Sequence, residues 1–309
     1  MDIAVVGPGA MGCLFAARLK QSGNNVTLVD YKEQRAAFIS SEGVRIEGSS
    51  GSHVVSVPAA VGKMAVPPEV IIVFVKATQT KKAAMNAATW AGPDSLVLTL
   101  QNGLGNMEIL QEIFGIKRVA AGVTAEGGTL LEAGHVRHAG RGETIIGRPP
   151  GDAGKIERLV NALNGAGFSA RLVDRVEELI WGKLLVNVGI NALAAVTRLR
   201  NGDIPRIEPL RQIMADAVEE AMAVVRAKGV KLPYENPLQK VMDVCQATAV
   251  NLASMLQDVL RERTTEVEAI NGAIVREASA LGIPAPVNMA LARIVKGIES
   301  SYDLRADSI

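Results

Sequence analysis

Ile3-Ala-Val-Val6 runs without a break into Gly7-Pro8-Gly9-Ala10-Met11-Gly12, and Cys13 to Leu19 then continue as a predominantly apolar helical run. A bare G-x-G-x-x-G is weak evidence. Between an apolar strand, a helix and a second strand-like run ending in Asp30, it becomes the fingerprint of a dinucleotide-binding βαβ unit. Gly7 permits the tight turn, Gly9 lets the backbone approach a pyrophosphate, and Gly12 lets helix and strand pack closely. Pro8, Ala10 and Met11 complete the loop. The helix that starts here offers free N–H groups and the positive end of its dipole to an anion.

Further β/α alternation extends outward from this unit. Val70 to Val75, Leu96 to Leu100 and Arg118 to Ala121 read as strands, and Thr80 to Thr89 and Asn106 to Ile113 as helices. Gly62 to Pro68 reads as a loop. This alternation predicts a mostly parallel sheet. From Gly122 to Gly147, glycine-punctuated alternation suggests antiparallel strands closing that sheet, followed by a helix near Ala153 to Asn164 and a short run from Phe168 to Val173. Almost everything after Arg175 carries helical periodicity. The expectation is an α/β Rossmann-type N-terminal domain over 1–172, binding a dinucleotide, and an all-α C-terminal domain over 173–309, carrying substrate and catalysis.

Composition agrees with two domains, since 309 residues exceed what one core usually accommodates. A 48% hydrophobic content with a formal net charge of +1 describes a chain that folds around cores. It has no broad basic face for nucleic acid and no polybasic membrane segment. A small-molecule partner fits better, and a homodimer is compatible with the sequence. The start of the chain enters an apolar strand, without the charged and apolar regions of a signal peptide, so a cytoplasmic location is the expectation. Cys13 and Cys245 are too few for a disulfide framework and read as buried thiols. His53, His135 and His138 lack clustered Cys or carboxylate spacing, so no metal is expected.

Asp30 stands 18 positions after Gly12. An acidic side chain there typically accepts hydrogen bonds from the ribose hydroxyls and repels a 2′-phosphate, which favours NAD(H). Lys32 and Arg35 follow at once and could embrace that phosphate if Asp30 turned away, in which case Asp30 would be a strand-end cap. Lys76 ends another strand at the edge where ligands bind in open α/β sheets, where it reads equally as a group that steadies cofactor or substrate and as a solvated strand-end lysine. Asn102 occupies the matching edge in a glycine turn, where a simple Asn-Gly turn would also suffice.

The helical run from Glu178 places Lys183, Asn187 and Asn191 at i, i+4 and i+8 among apolar residues. They stack along one helical face. Such a stripe is expensive to bury without partners, yet solvent stripes favour Glu, Lys and Arg over paired Asn. Hydride arriving at a keto carbon leaves negative charge on oxygen. A desolvated lysine with a lowered pKa can supply both proton and cation there.

Together these features resemble the ketopantoate reductase family. They are the glycine loop, the Lys76 strand end, Gln101-Asn102-Gly103, Trp181-Gly-Lys183 with Asn187 and Asn191, Asn251-Leu-Ala-Ser254 and Thr265-Glu266 with Asn271-Gly272. The resemblance spans residue 3 to about 300 in order. It implies reduction of 2-dehydropantoate to pantoate with a substrate cleft between the domains, Lys183 as general acid and Glu266 binding the substrate hydroxyl. It further implies that Asn187, Asn191, Asn251 and Ser254 hold substrate, and that Lys76 and Asn102 work at the seam of cofactor and substrate. The family implies NADP(H), whereas Asp30 keeps NAD(H) open. Spacing alone would leave Asn251 and Ser254, read as i, i+3 helix neighbours, on an exposed polar face, and Glu266 in a solvated charge run. A reductase of another branched 2-oxo acid shares this machinery. A nucleotide sensor would need no proton donor, so Lys183 argues against it.

Overall fold

The computed structural model describes residues 1–304. Two compact units emerge, one of residues 1–101 with 106–176, the other of residues 102–105 with the helical remainder.

The first unit alternates β1 (Asp2–Val6), α1 (Ala10–Gln21), β2 (Asn25–Asp30), α2 (Glu33–Glu42), β3 (Val44–Gly48), β4 (His53–Val55), β5 (Ala59–Val61) and β6 (Val70–Val73). It continues through α3 (Thr80–Ala88), β7 (Leu96–Thr99), α4 (Asn106–Phe114), β8 (Val119–Thr124), β9 (Gly127–Glu132), β10 (His135–Gly140), β11 (Glu143–Gly147), α5 (Ala153–Gly165) and β12 (Ser169–Val173). Eight strands form the main sheet in the order β12-β11-β8-β7-β6-β1-β2-β5. Its pairings are parallel except β8 with β11.

Central strands of a sheet covered on both faces must be apolar at every position. β1 shows how. Ile3 and Val5 face a core shared with α1 and α5, while Ala4 and Val6 face one shared with α3 and α4. Val70 and Ile72 of β6 likewise oppose Ile71 and Val73. The chain passes from β1 to β2 on one side and later to β6 on the other, so the strand order reverses beside β1. That switch point is where open α/β sheets bind ligands, at the carboxyl ends of the strands.

One expectation about the sheet needs correction. The 122–147 segment does not simply close the main sheet: the end of β8 and β11 pair antiparallel within it, whereas β9 and β10 pair with β3 and β4 in a separate four-stranded sheet. Local alternation reports a half-buried strand and not its partner, and here β10 pairs parallel to the distant β3. The α2–β5 stretch had no distinct signal, because its strands are only three to five residues long.

The second unit contains α6 (Val176–Thr197), α7 (Glu208–Ala227), α8 (Pro237–Ala247), α9 (Ser254–Leu260), α10 (Asn271–Ala280) and α11 (Pro286–Ser300). By length and composition α6 could cross a membrane, but most of it is buried in the fold. Leu184, Leu185, Val188 and Ile190 belong to a core shared with Met214 and Val218 of α7, Val241 of α8 and Val295 of α11. The approach to α8 is so close that a Cβ on Gly189 would lie 2.8 Å from Val241 Cγ1. Asn251 falls in the irregular stretch before α9, so it and Ser254 are not neighbours on one helix. α8 ends at Thr248, whose carbonyl accepts the Asn251 N–H, and the Asn251 carbonyl accepts the Asn201 N–H.

Candidate functional site

In the first unit, the loop after β1 has the three distinct glycine environments its chemistry requires. Gly7 adopts φ +103°, and a Cβ there would lie 2.8 Å from the Val75 nitrogen. A Cβ on Gly12 would come within 1.9 Å of the Gly7 carbonyl oxygen, so this position admits only glycine. At Gly9, by contrast, a Cβ meets nothing within 4 Å. This open space lies at the N-cap of α1, which has neither a capping side chain nor an acidic residue in its first turn. An uncapped helix N-terminus facing open space suits a pyrophosphate in charge and shape. The loop therefore fits the dinucleotide that the sequence implies.

Asp30 ends β2 on the same edge of the sheet, with its side chain fully buried. Its carboxylate accepts Nη2 of Arg35 at 2.6 Å and also Nε of Arg35, a two-pronged fork. It additionally accepts the backbone N–H groups of Tyr31 and Lys32, at 2.6 and 3.1 Å. The hydrogen bond to Asp30 holds the Arg35 guanidinium above its ordinary pKa, so it stays charged. Arg35 and Lys32 both lie over the exposed ring of Tyr31, at 5.5 and 5.7 Å from its centroid. Sequence reasoning named Lys32 and Arg35 but missed this fork, which a five-residue spacing across a strand end does not signal.

Lys76 follows β6 and opens a 3-10 turn, half-buried. The turn is braced by Gln101, whose amide donates to the Val75 carbonyl at 2.6 Å and to Thr80 Oγ1 at 2.9 Å. Thr80 in turn donates to Asn106 at 2.7 Å.

In the second unit, Lys183 lies half-buried on α6 between buried Gly182 and Leu184. Burial pulls its pKa from 10.5 down to about 8, against the Glu266 carboxylate, which pulls it up. Along the same stripe Asn187 is half-buried and Asn191 buried. Below Lys183 the helix is pinned by Tyr234, whose hydroxyl donates to the Gly182 carbonyl at 2.7 Å.

Glu266, which spacing alone would leave in solvent, is only 8% exposed. It accepts the Asn102 amide at 3.2 Å. Glycine makes this contact achievable: Gly103 has φ +83°, a Cβ there would lie 2.2 Å from the Ala269 oxygen, and the Leu104 N–H donates to that same oxygen at 3.0 Å. The fold thus associates Asn102, Glu266 and Lys183. Asn251 and Ser254 are exposed. Ser254 is the first residue of α9.

Two of the three histidines pair with side chains of the first unit, whereas the buried Nε2 of His53 has no hydrogen-bond partner. His138 is buried against Glu126 and Ser50, at 2.5 Å each, and His135 pairs with Glu47. Among the described residues no group of three or more His, Cys, Asp or Glu is arranged to hold a metal.

Residues 3–151 match the family described as "Ketopantoate reductase PanE/ApbA", and residues 175–299 its C-terminal counterpart. A 2-dehydropantoate 2-reductase of Archaeoglobus fulgidus is 34% identical over 299 residues, covering 96% of this chain and 98% of that one. The crystal structure of a PanE/ApbA family ketopantoate reductase from Ralstonia eutropha JMP134 superposes with a TM-score of 0.90 at 35% identity, covering 97% and 99% of the two chains. D-mandelate dehydrogenase, in a ternary structure with NADH and anilino(oxo)acetate, reaches a TM-score of 0.90 at 25% identity, covering 98% of this chain and all of that one. With the glycine cradle, the half-buried lysine and matches over both units, this chain belongs to the ketopantoate reductase family of NAD(P)-dependent oxidoreductases.

Proposed function

We propose that this protein reduces 2-dehydropantoate to pantoate, with the first unit holding the dinucleotide and the second the substrate. The observation that carries the reading is Lys183: a half-buried lysine on an apolar helix, with its pKa lowered to about 8 and a buried glutamate acting on it. The reduced nicotinamide supplies the hydride. The protein must place the keto acid, favour negative charge on the keto oxygen and deliver a proton to it. Lys183 does the last two, because an ammonium near neutrality in pKa stabilises the developing alkoxide and then protonates it. Glu266 accepts the substrate hydroxyl, while Asn102 orients Glu266. Asn187, Asn191, Asn251 and Ser254 hold the remainder of the substrate, Ser254 near its carboxylate. Gly7 to Gly12 cradle the pyrophosphate, and Lys76 steadies the reacting end.

For the cofactor we favour NADPH. Asp30 is fully buried and its carboxylate is taken up by Arg35 and two backbone N–H groups, so it serves better to set Arg35 than to accept ribose hydroxyls. The exposed Tyr31 ring and the cations of Lys32 and Arg35 then suit adenine and a 2′-phosphate.

A second reading, reduction of a different 2-oxo acid with NADH, is favoured by the similarity to D-mandelate dehydrogenase. Loss of reduced-nicotinamide absorbance, followed with both cofactors and a panel of 2-oxo acids, decides. The proposal requires the highest kcat/KM with ketopantoate; a plain or aromatic 2-oxo acid outperforming it supports the second reading.

A further inference from the structure

Glu266 lies outside regular secondary structure, at the entry to a short 3-10 turn. It has φ −100° and ψ 21°, directly before a 3-10 turn of three residues, Val267–Ala269, that leads through Ile270 into α10. Such a turn is intrinsically weak. A recognition carboxylate must nevertheless be held to within about 0.5 Å.

Besides the contact with Asn102, a restraint comes from residue 265. Thr265 Oγ1 accepts the Val267 N–H at 3.2 Å, so one hydroxyl ties together the residues on either side of Glu266. That hydroxyl donates to Glu299 Oε1 of α11 at 2.6 Å, and the Thr265 backbone N–H donates to the same oxygen at 2.8 Å. The other oxygen of Glu299 pairs with Lys296 at 2.6 Å. Thr265 is 2% exposed and the Glu299 side chain 8%, so neither is satisfied by solvent at this clamp.

We infer that Thr265, anchored by Glu299, is the positioning residue that sets the Glu266 carboxylate and thereby the selectivity for hydroxylated over hydroxyl-free 2-oxo acids. The clamp acts on the backbone flanking Glu266, and only through Glu266 on the substrate hydroxyl. This inference rests on the reading of Glu266 given above. Thr265→Ser keeps both roles of the hydroxyl, and Thr265→Val removes them at nearly constant volume. Glu299→Gln keeps an acceptor for both Thr265 donors, and Glu299→Ala removes it.

The test is the ratio of kcat/KM for ketopantoate to that for 2-ketoisovalerate, measured on the intact protein, with thermal unfolding recorded for each variant. Thr265→Val and Glu299→Ala should each lower the ratio about three- to thirtyfold, within the hundredfold that a 1 Å misplacement can cost. The loss should appear mainly in KM for ketopantoate. Thr265→Ser and Glu299→Gln should restore the ratio, and Thr265→Val should lower it no further once Glu266 is alanine. The inference is overturned if Thr265→Val and Glu299→Ala reduce stability and both activities in proportion, leaving the ratio unchanged, or if their effect adds in full to that of Glu266→Ala. A ratio that collapses in Glu266→Ala but not in the clamp variants removes this inference alone. An unchanged ratio in Glu266→Ala removes the reading of Glu266 and the inference with it.

Discussion

Replacing Lys183 by methionine separates the ammonium's chemistry from the packing of its stem. Its pKa falls from 10.5 to about 8 because burial disfavours the charged form, the Glu266 carboxylate opposing only part of that effect. A shift of this size corresponds to roughly 3 kcal/mol of differential stability between the two protonation states. The folded pKa is the lower one, so the cost of holding the ammonium is fully present below pH 8 and is relieved as pH rises towards 10.5. Lys183→Met should therefore be more stable than wild type at pH 7, by roughly 1 to 3 kcal/mol after allowance for the lysine's residual solvent contact. Most of that advantage should vanish by the unfolded-state pKa. Single-turnover reduction should fall about a hundredfold or more, the scale expected for loss of a positioned acid. In wild type the rate should decline above pH 8 as the donor form is lost, and Glu266→Gln should move that break lower by removing the charge that supports the ammonium. Urea melts at pH 7 and 10, with stopped-flow single turnovers across the same range, measure both quantities. A methionine variant keeping more than about a tenth of the rate, or a wild-type rate level to pH 10, would refute Lys183 as the acid.

Three further outcomes are expected. Glu266→Ala should lower the preference for ketopantoate over 2-ketoisovalerate by about ten- to a hundredfold, the worth of one hydrogen bond to a charged partner; steady-state kinetics with the two acids check it. Wild type should prefer NADPH, and Arg35→Ala should narrow that preference by about tenfold; a wild type that prefers NADH would show that Asp30 contacts the ribose after all. Gly9→Ala should leave the melting temperature nearly unchanged yet weaken dinucleotide binding in a calorimetric titration. Gly12→Ala should lower the melting temperature itself, because its Cβ has only 1.9 Å to the Gly7 oxygen.

Several features were legible because they are written in short-range chemistry. Val6 to Cys13 contains its own strand end, turn and helix start, and α1 begins at Ala10 where the pattern puts it. The stripe of Lys183, Asn187 and Asn191 needs only the helical period to share a face. The resemblance to a known family rested on several such motifs in order, and matches across both units bear it out. Tertiary structure decided what depends on residues far apart in the chain. Glu266 reads as one more member of a charged run, and it is buried because the loop at Asn102, 164 residues earlier, folds against it. Asp30 has the same composition whether it faces a ribose or a guanidinium, and only the return of Arg35 on α2 turns it into the fork. Asn251 and Ser254 look like helix neighbours until Thr248 ends α8 and places one of them outside a helix. The separation of β9 and β10 from the main sheet has the same origin, since period-two alternation sets which face of a strand is buried but not which strand it joins. Local spacing determines the conformation of a segment and the faces it presents; which groups those faces meet, and hence their burial and charge state, follows only from long-range packing.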